Sequence, residues 1–185
     1  MKGAMFKLLE AYVEELDRVG AFTDLLEDAG LGDQPPYAGP GTYPDEHMIA
    51  LIGAATRRYA VPADELLYGF GRFAFPGLAR SAGSLLDGVD DARTFLLTLE
   101  SVVHTEIRKV DPEARPARFQ VEEVGPTELH LRYESDLGLF PLVEGLLAGV
   151  GDWFGAPLTS ELLGTDGTNA SFRVLFTDVT ERTAV

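Results

Sequence analysis

The sequence predicts an α+β domain in which a helical amino-terminal lobe is followed by a lobe with an antiparallel sheet and helices. Apolar residues recur at three- and four-residue steps through about the first 75 positions. After Pro116 the pattern changes to alternation, and a further helical stretch and a second alternating run follow. A chain of 185 residues, 45% of them hydrophobic, suits one domain with a sizeable core. We expect a single domain over 1–185, with about 1–75 forming the helical lobe and about 76–185 the α+β lobe.

Phe6, Leu8, Leu9, Tyr12, Val13, Leu16 and Val19 predict an amphipathic helix over residues 3 to 19, which Gly20 can terminate. Phe22, Leu25, Leu26 and Ala29 continue in a short helix closed by Gly30. Residues Gly32 to Thr42, with three prolines and three glycines, read as a loop. Pro44 suits the first turn of a third helix, whose buried face is expected to carry Met48, Ile49, Leu51, Ile52, Ala55 and Tyr59. Pro62, Asp64 and Glu65 open a fourth through Leu66, Leu67 and Phe70. Pro76-Gly77 is expected to break the pattern before a short helix from Leu78 to Leu86. Asp90-Asp91 then precedes the longest helical pattern, Ala92 to about Val110, which Pro112 and Pro116 stop.

The alternation of Phe119 and Val121, the pair Gly125-Pro126, and Leu129, Leu131, Tyr133 and Ser135 on one face predict a strand hairpin. Leu139 to Phe154 returns to helical spacing. Leu158 to Leu163, a turn at Gly164-Thr165-Asp166-Gly167, and alternating Phe172, Val174 and Phe176 complete the sheet.

Composition removes several classes of function. The absence of cysteine excludes disulfides, thiolate-held metals and cysteine nucleophiles. A formal charge of −15 opposes a phosphate backbone, so nucleic acid is not an expected partner. No apolar run approaches the roughly 20 residues that cross a bilayer, and the first helix lacks a signal-peptide cleavage site. A soluble, cytoplasmic protein without a membrane partner is expected. Gly69-Phe70-Gly71-Arg72-Phe73-Ala74 matches a dinucleotide-binding fingerprint by letters. A helical pattern precedes it instead of a strand, so it reads as a helix break. His47, beside Asp45 and Glu46, and His130, beside Arg132, read as surface histidines without metal-ligand spacing. No nucleophile motif stands out, which argues against an enzyme.

Three features remain. His104 lies at the edge of the apolar stripe of the long helix, with Leu97 and Glu100 before it and Ile107 and Arg108 after it. A lone helical histidine is more often structural, yet an imidazole on a rigid helix beside apolar side chains is also what a five-coordinate heme iron requires. Tyr133 and Ser135 share a strand face, so two hydroxyls stand at the end of an apolar surface. With the opening Met1-Lys2-Gly3, the spacing from His104 to Tyr133-x-Ser135 resembles the heme-nitric oxide/oxygen binding (H-NOX) family over nearly the whole chain.

That resemblance implies an H-NOX-like fold, heme b with iron on His104 at the proximal face, and propionates met by Tyr133 and Ser135. The family motif is Tyr-x-Ser-x-Arg, and here Leu137 occupies the arginine position. Guanidinium meets carboxylates with a fixed fork of donors and a permanent charge, so its loss weakens heme binding by about tenfold to a hundredfold. Arg132 points to the opposite strand face, whereas Arg118 or a cation from the other lobe could approach. The proline that presses on the macrocycle in the family aligns with Ala117, with Pro116 adjacent. Met5, Leu67, Ala74, Leu78 and Leu142 supply an apolar distal pocket, with Leu142 where oxygen-binding members carry tyrosine. The resemblance implies a nitric oxide sensor, also open to carbon monoxide, that forms no stable oxygen complex. It signals by lobe movement to a partner such as a histidine kinase or a diguanylate cyclase. The alternative is a heme-free module of the same fold for a fatty acid or other hydrophobic ligand.

Overall fold

The computed structural model describes residues 1–105 and 116–177, apart from the side chains of Val102 and Val103. Helix α1 covers Gly3–Leu16, α2 Ala21–Asp28, α3 Asp45–Tyr59 and α4 Ala63–Ala82. The proline- and glycine-rich loop folds back onto the start of α1, where Gly3 N–H donates to Gly41 O at 2.8 Å and Ala4 N–H to Gly39 O at 3.0 Å. Two of the amides that a helix leaves open at its N-terminus are satisfied this way. The first helix is shorter than expected: Val19 is 87% exposed, and Gly20, at φ +87°, opens α2 rather than closing α1. Pro44 stands immediately ahead of α3, which carries Asp45 and Glu46 in its first turn and Arg57 and Arg58 in its last, in accord with the helix dipole. Ile49, expected on the buried face, is half exposed. His47 corrects the surface reading: it is half-buried, its Nδ1 3.0 Å from the Tyr37 hydroxyl, among Phe6 and Tyr37.

Two expectations about α4 are overturned. The helix runs without interruption through Gly69–Ala74 and through Pro76-Gly77, then passes into a 3₁₀ turn at Gly83–Leu86. Proline removes the donor that would have met the Arg72 carbonyl and crowds that oxygen. The Arg72 oxygen faces Gly149, where an added Cβ would come within 3.0 Å of it. Burial of Phe75 and Ala79 on either side of Pro76 holds the helix together through this defect. The glycines serve close approach instead of a break: a Cβ at Gly69 would strike the Tyr12 hydroxyl, and one at Gly71 the Leu142 carbonyl.

Helix α5, Ala92–Thr98, continues as a π-helical segment at Leu99–His104. The expected end near Val110, the stop at Pro112, and the neighbours Ile107 and Arg108 lie outside the described residues. Strands β1 (Arg118–Gly125), β2 (Glu128–Glu134), β3 (Leu158–Asp166) and β4 (Asn169–Phe176) form one antiparallel sheet in the order β1-β2-β4-β3, with α6 (Phe140–Trp153) between β2 and β3. The last hairpin turns at Gly167-Thr168, later than expected, because Gly164, Thr165 and Asp166 still pair with β4. Phe119 pairs with Tyr133 and Val121 with Leu131, and Leu129, Leu131, Phe172 and Val174 form the buried face.

Apolar side chains gather in two cores. One holds Phe6, Leu25, Met48, Leu51, Leu67, Phe70, Ala74 and Leu142; the other holds Phe75, Phe95, Leu96, Tyr133, Leu147, Phe172 and Val174. Helices α4 and α6 contribute to both. They cross backbone against backbone at Gly71, Gly145 and Gly149. No described helix is long and apolar enough to cross a membrane.

Candidate ligand-binding site

The segment carrying His104 is built to leave regular α-winding. Asp91 caps α5, its carboxylate accepting from Thr94 N–H at 2.8 Å and from the Thr94 hydroxyl at 2.7 Å. These bonds hold the Asp91 carboxyl below its usual range, the backbone bond first. Hydroxyls then follow along the helix. Thr98 donates to Thr94 O at 2.8 Å, Ser101 to Thr98 O at 3.4 Å, and Thr105 to Glu100 O at 3.0 Å. Such back-bonding satisfies carbonyls as the turn widens, and π-wound turns recur at functional sites.

The imidazole of His104 is 13% exposed, with Nδ1 3.1 Å from Glu100 Oε2. That same oxygen accepts the backbone N–H of Phe119, on β1, at 3.2 Å. The His104 ring lies 5.6 Å from the Phe119 ring, Phe119 another 5.6 Å from Tyr133, and Tyr133 6.2 Å from Phe140. A chain of rings therefore joins the histidine through β1 and β2 to the start of α6. Tyr133 is 4% exposed, and burial pushes its phenol up, partly opposed by bonds from Ser135 and the Leu139 backbone. Ser135 follows the last residue of β2; its Oγ accepts Leu137 N–H at 3.2 Å, and its own N–H donates to Asn169 Oδ1 at 3.3 Å.

The structure brings Tyr133 and Ser135 together and joins Tyr133 to His104 through Phe119. Leu67, Ala74 and Leu142 sit in the helical core, Met5 and Leu137 pack against it, and Leu78 is half-buried. Leu137 thus packs against the first of the two cores. Arg132 turns to the outer strand face and pairs with Glu134 at 3.1 Å, as the alternation predicts, and Arg118 is exposed. Glu100 stood in the sequence as a neighbour of His104, but its bond to β1 depends on tertiary packing that spacing cannot show. The π-winding was also missed; its signal is the run Thr94, Thr98, Ser101, Thr105 along one helix.

The donor set fits a heme iron on the histidine side. A carboxylate only accepts, so the bond calls for a proton on Nδ1, and in a neutral imidazole Nε2 is then the nitrogen with the lone pair. Opposite, the residues expected to wall the pocket are apolar. Two carboxylates of such a group would meet the hydroxyls of Tyr133 and Ser135, while Leu137 packs against the helical core and brings no charge. Among the described residues, no group of three histidine, cysteine or acidic side chains could hold a metal ion. Two surface clefts, about 200 Å³ beside Phe22 and Tyr37 and about 390 Å³ beside Tyr68 and Asp152, lie away from His104.

A family model described as haem-NO-binding matches residues 2–162. The fold is shared with an H-NOX protein from S. oneidensis in the Fe(II)NO ligation state, at a TM-score of 0.89 and 23% identity over 96% of this chain and 100% of that one. The Fe(II) unliganded H-NOX protein from K. algicida is 25% identical with a TM-score of 0.86, covering 96% and 97% of the two chains. A third, the SO2144 H-NOX domain from Shewanella oneidensis in the Fe(II)CO state, gives 0.85 at 23% identity over 96% and 99%. No curated protein matches the sequence.

Proposed function

Because the chain belongs to the haem-NO-binding family, we propose that it is a sensor module, not an enzyme, holding heme b through His104 and responding to nitric oxide. The observation that carries this reading is the His104 imidazole with its Nδ1 on Glu100 and its ring against Phe119. When bound, the heme supplies an open coordination position for a diatomic gas. His104 would serve as the proximal ligand through Nε2, and Tyr133 and Ser135 would donate to the propionates. Met5, Leu67, Ala74, Leu78 and Leu142 would exclude water and offer no hydroxyl donor, which favours nitric oxide and carbon monoxide over dioxygen.

Signal transfer in this reading is a change in how the segment Leu99–His104 sits against β1, passed to the two cores that α4 and α6 share. A histidine kinase or a diguanylate cyclase that binds one arrangement better than the other would read it. The test is an absorption spectrum of the anaerobic, reduced protein, expressed with ample heme precursor, before and after nitric oxide, with His104→Ala alongside. We expect a strong Soret band that the variant loses or shifts, a five-coordinate nitric oxide spectrum, and no stable oxygen complex in air. No heme band, with added hemin failing to bind stoichiometrically, would overturn the proposal. Leu137, which stands where the family motif has arginine and packs against the helical core, favours one second reading, a heme-free site for a fatty acid or similar amphiphile. Mass spectrometry of a lipid extract of the purified protein tests it.

A further inference from the structure

We propose that Glu100 is the positioning residue of His104. One carboxylate oxygen holds the imidazole by Nδ1 and anchors it to the backbone of β1 at Phe119. This rests on His104 being the iron ligand.

Three observations meet at Glu100. Its Oε2 lies 3.1 Å from His104 Nδ1 and 3.2 Å from Phe119 N, so a single oxygen bridges the helix and the sheet. An ordinary exposed i,i+4 pair would bridge two turns of one helix and be worth little. Here the histidine is 13% exposed and the glutamate 31%, and the second donor belongs to another element. Both side chains also stand on the π-wound segment, whose turn is held by the Thr105 hydroxyl on the Glu100 carbonyl. The winding and the bridge thus centre on the same residue.

The chemistry follows from the acceptor. Because the carboxylate takes Nδ1–H, the imidazole cannot choose its other neutral tautomer without losing the bond, and Nε2 stays the ligand nitrogen. Negative charge behind the ring makes that nitrogen more basic, and outer partners of this kind set ligand orientation as well as affinity. The Phe119 amide fixes the carboxylate in turn. Motion of His104 along its helix axis is therefore conveyed to β1, and through the Phe119–Tyr133 pair to the strand that carries Tyr133.

The test uses the full chain as purified, reduced and under carbon monoxide, as wild type, Glu100→Ala and Glu100→Gln. Nitrogen chemical shifts should place a proton on His104 Nδ1 in the wild type. Hydrogen exchange at the Phe119 amide should quicken several-fold to about tenfold in Glu100→Ala and stay slow in Glu100→Gln, which keeps an acceptor oxygen. In the reduced, gas-free form, the iron–histidine stretching frequency should fall in both variants, further in Glu100→Ala, since both lose the charge. Heme affinity should drop by about tenfold to a hundredfold in Glu100→Ala. An unprotonated Nδ1, or Phe119 exchange and stretching frequency unchanged in Glu100→Ala, overturns the assignment. Failure of the wild type to take up heme overturns the sensor reading and the ligand role by itself; the bridge is then decided by the shift and exchange data alone.

Discussion

Gly145→Ala should be strongly destabilising, although it places a better helix former inside a helix. A Cβ at this position would stand 2.0 Å from the Tyr68 carbonyl oxygen and 3.0 Å from Arg72 N, both backbone atoms of α4. No side-chain rotation relieves such a contact, so α4 and α6 must separate by roughly 1 Å, and a gap of that size forfeits up to about half of the dispersion well of each facing pair. Overpacking of this kind costs about 1–3 kcal/mol and occasionally more. Further loss comes from Leu67, Phe70, Phe75, Leu142 and Leu147, which line the same crossing, while alanine returns about 1 kcal/mol of helix propensity. A net loss of about 2–4 kcal/mol lowers Tm by roughly 4–16 °C at this chain length. The assay is thermal unfolding followed by circular dichroism, with Gly53→Ala as control. At Gly53 an added Cβ meets only the end of Arg57 at 3.6 Å, so that variant should match the wild type or gain up to about 1 kcal/mol. A Gly145→Ala protein melting within 2 °C of wild type would show that glycine does not set the spacing of the two helices.

Three further outcomes are expected. Burial, and then Asp64, raise the Glu144 carboxyl above its ordinary 4.5, so its protonated form favours folding. That contribution is complete below the unfolded value and is lost as pH rises through the folded one. Glu144→Gln should therefore leave Tm at pH 4 nearly unchanged and raise it at pH 7; equal melting curves at both would refute the raised value. Asp91→Ala should cost about 1 kcal/mol at pH 7 through the lost cap, or about 2–4 °C. The Asp91 value is lowered, so this difference should shrink in acid as pH falls through it, down to what the neutral carboxyl still accepts, and a pH-independent difference would refute the lowered value. Leu137→Arg should slow hemin transfer to a scavenger by about tenfold to a hundredfold if a cation is what the carboxylate end lacks; an unchanged rate would locate the propionates elsewhere.

The sequence was most legible where one local signal acted alone. Alternation placed β1, β2 and β4 and put Arg132 on the outer face, and apolar periodicity placed α2, α3 and α6. Reading failed where a distant partner overruled a local rule. Pro76 should end a helix, but Gly149 leaves room for the crowded Arg72 carbonyl, and burial on both sides outweighs the lost bond. Gly145 and Gly149, four apart on α6, carried the hint that α4 would be approached closely, yet only the pairing of the two helices gives that spacing a meaning. At the candidate site, His104, Tyr133 and Ser135 could be picked out only through the spacing that resembles the family motif, since a lone helical histidine or a strand hydroxyl is by itself more often structural. Glu100 looked like one more acidic helix residue, since a backbone amide on another element leaves no mark in sequence.

The unbroken course of α4 has a consequence for taking the protein apart. A cut near residue 76, where the sequence pattern alone puts a lobe boundary, would sever a helix whose first half is buried in one core and whose second half is buried in the other. Fragments made there should be insoluble alone and reassemble poorly. A nick within Asp87–Asp91, after the 3₁₀ turn and before the Asp91 cap, interrupts no α-helix or strand, so a complementing pair should be divided there. The amino-terminal fragment would then bring all of α4 to α6 in one piece, and recovery of structure on mixing would report that single docking event.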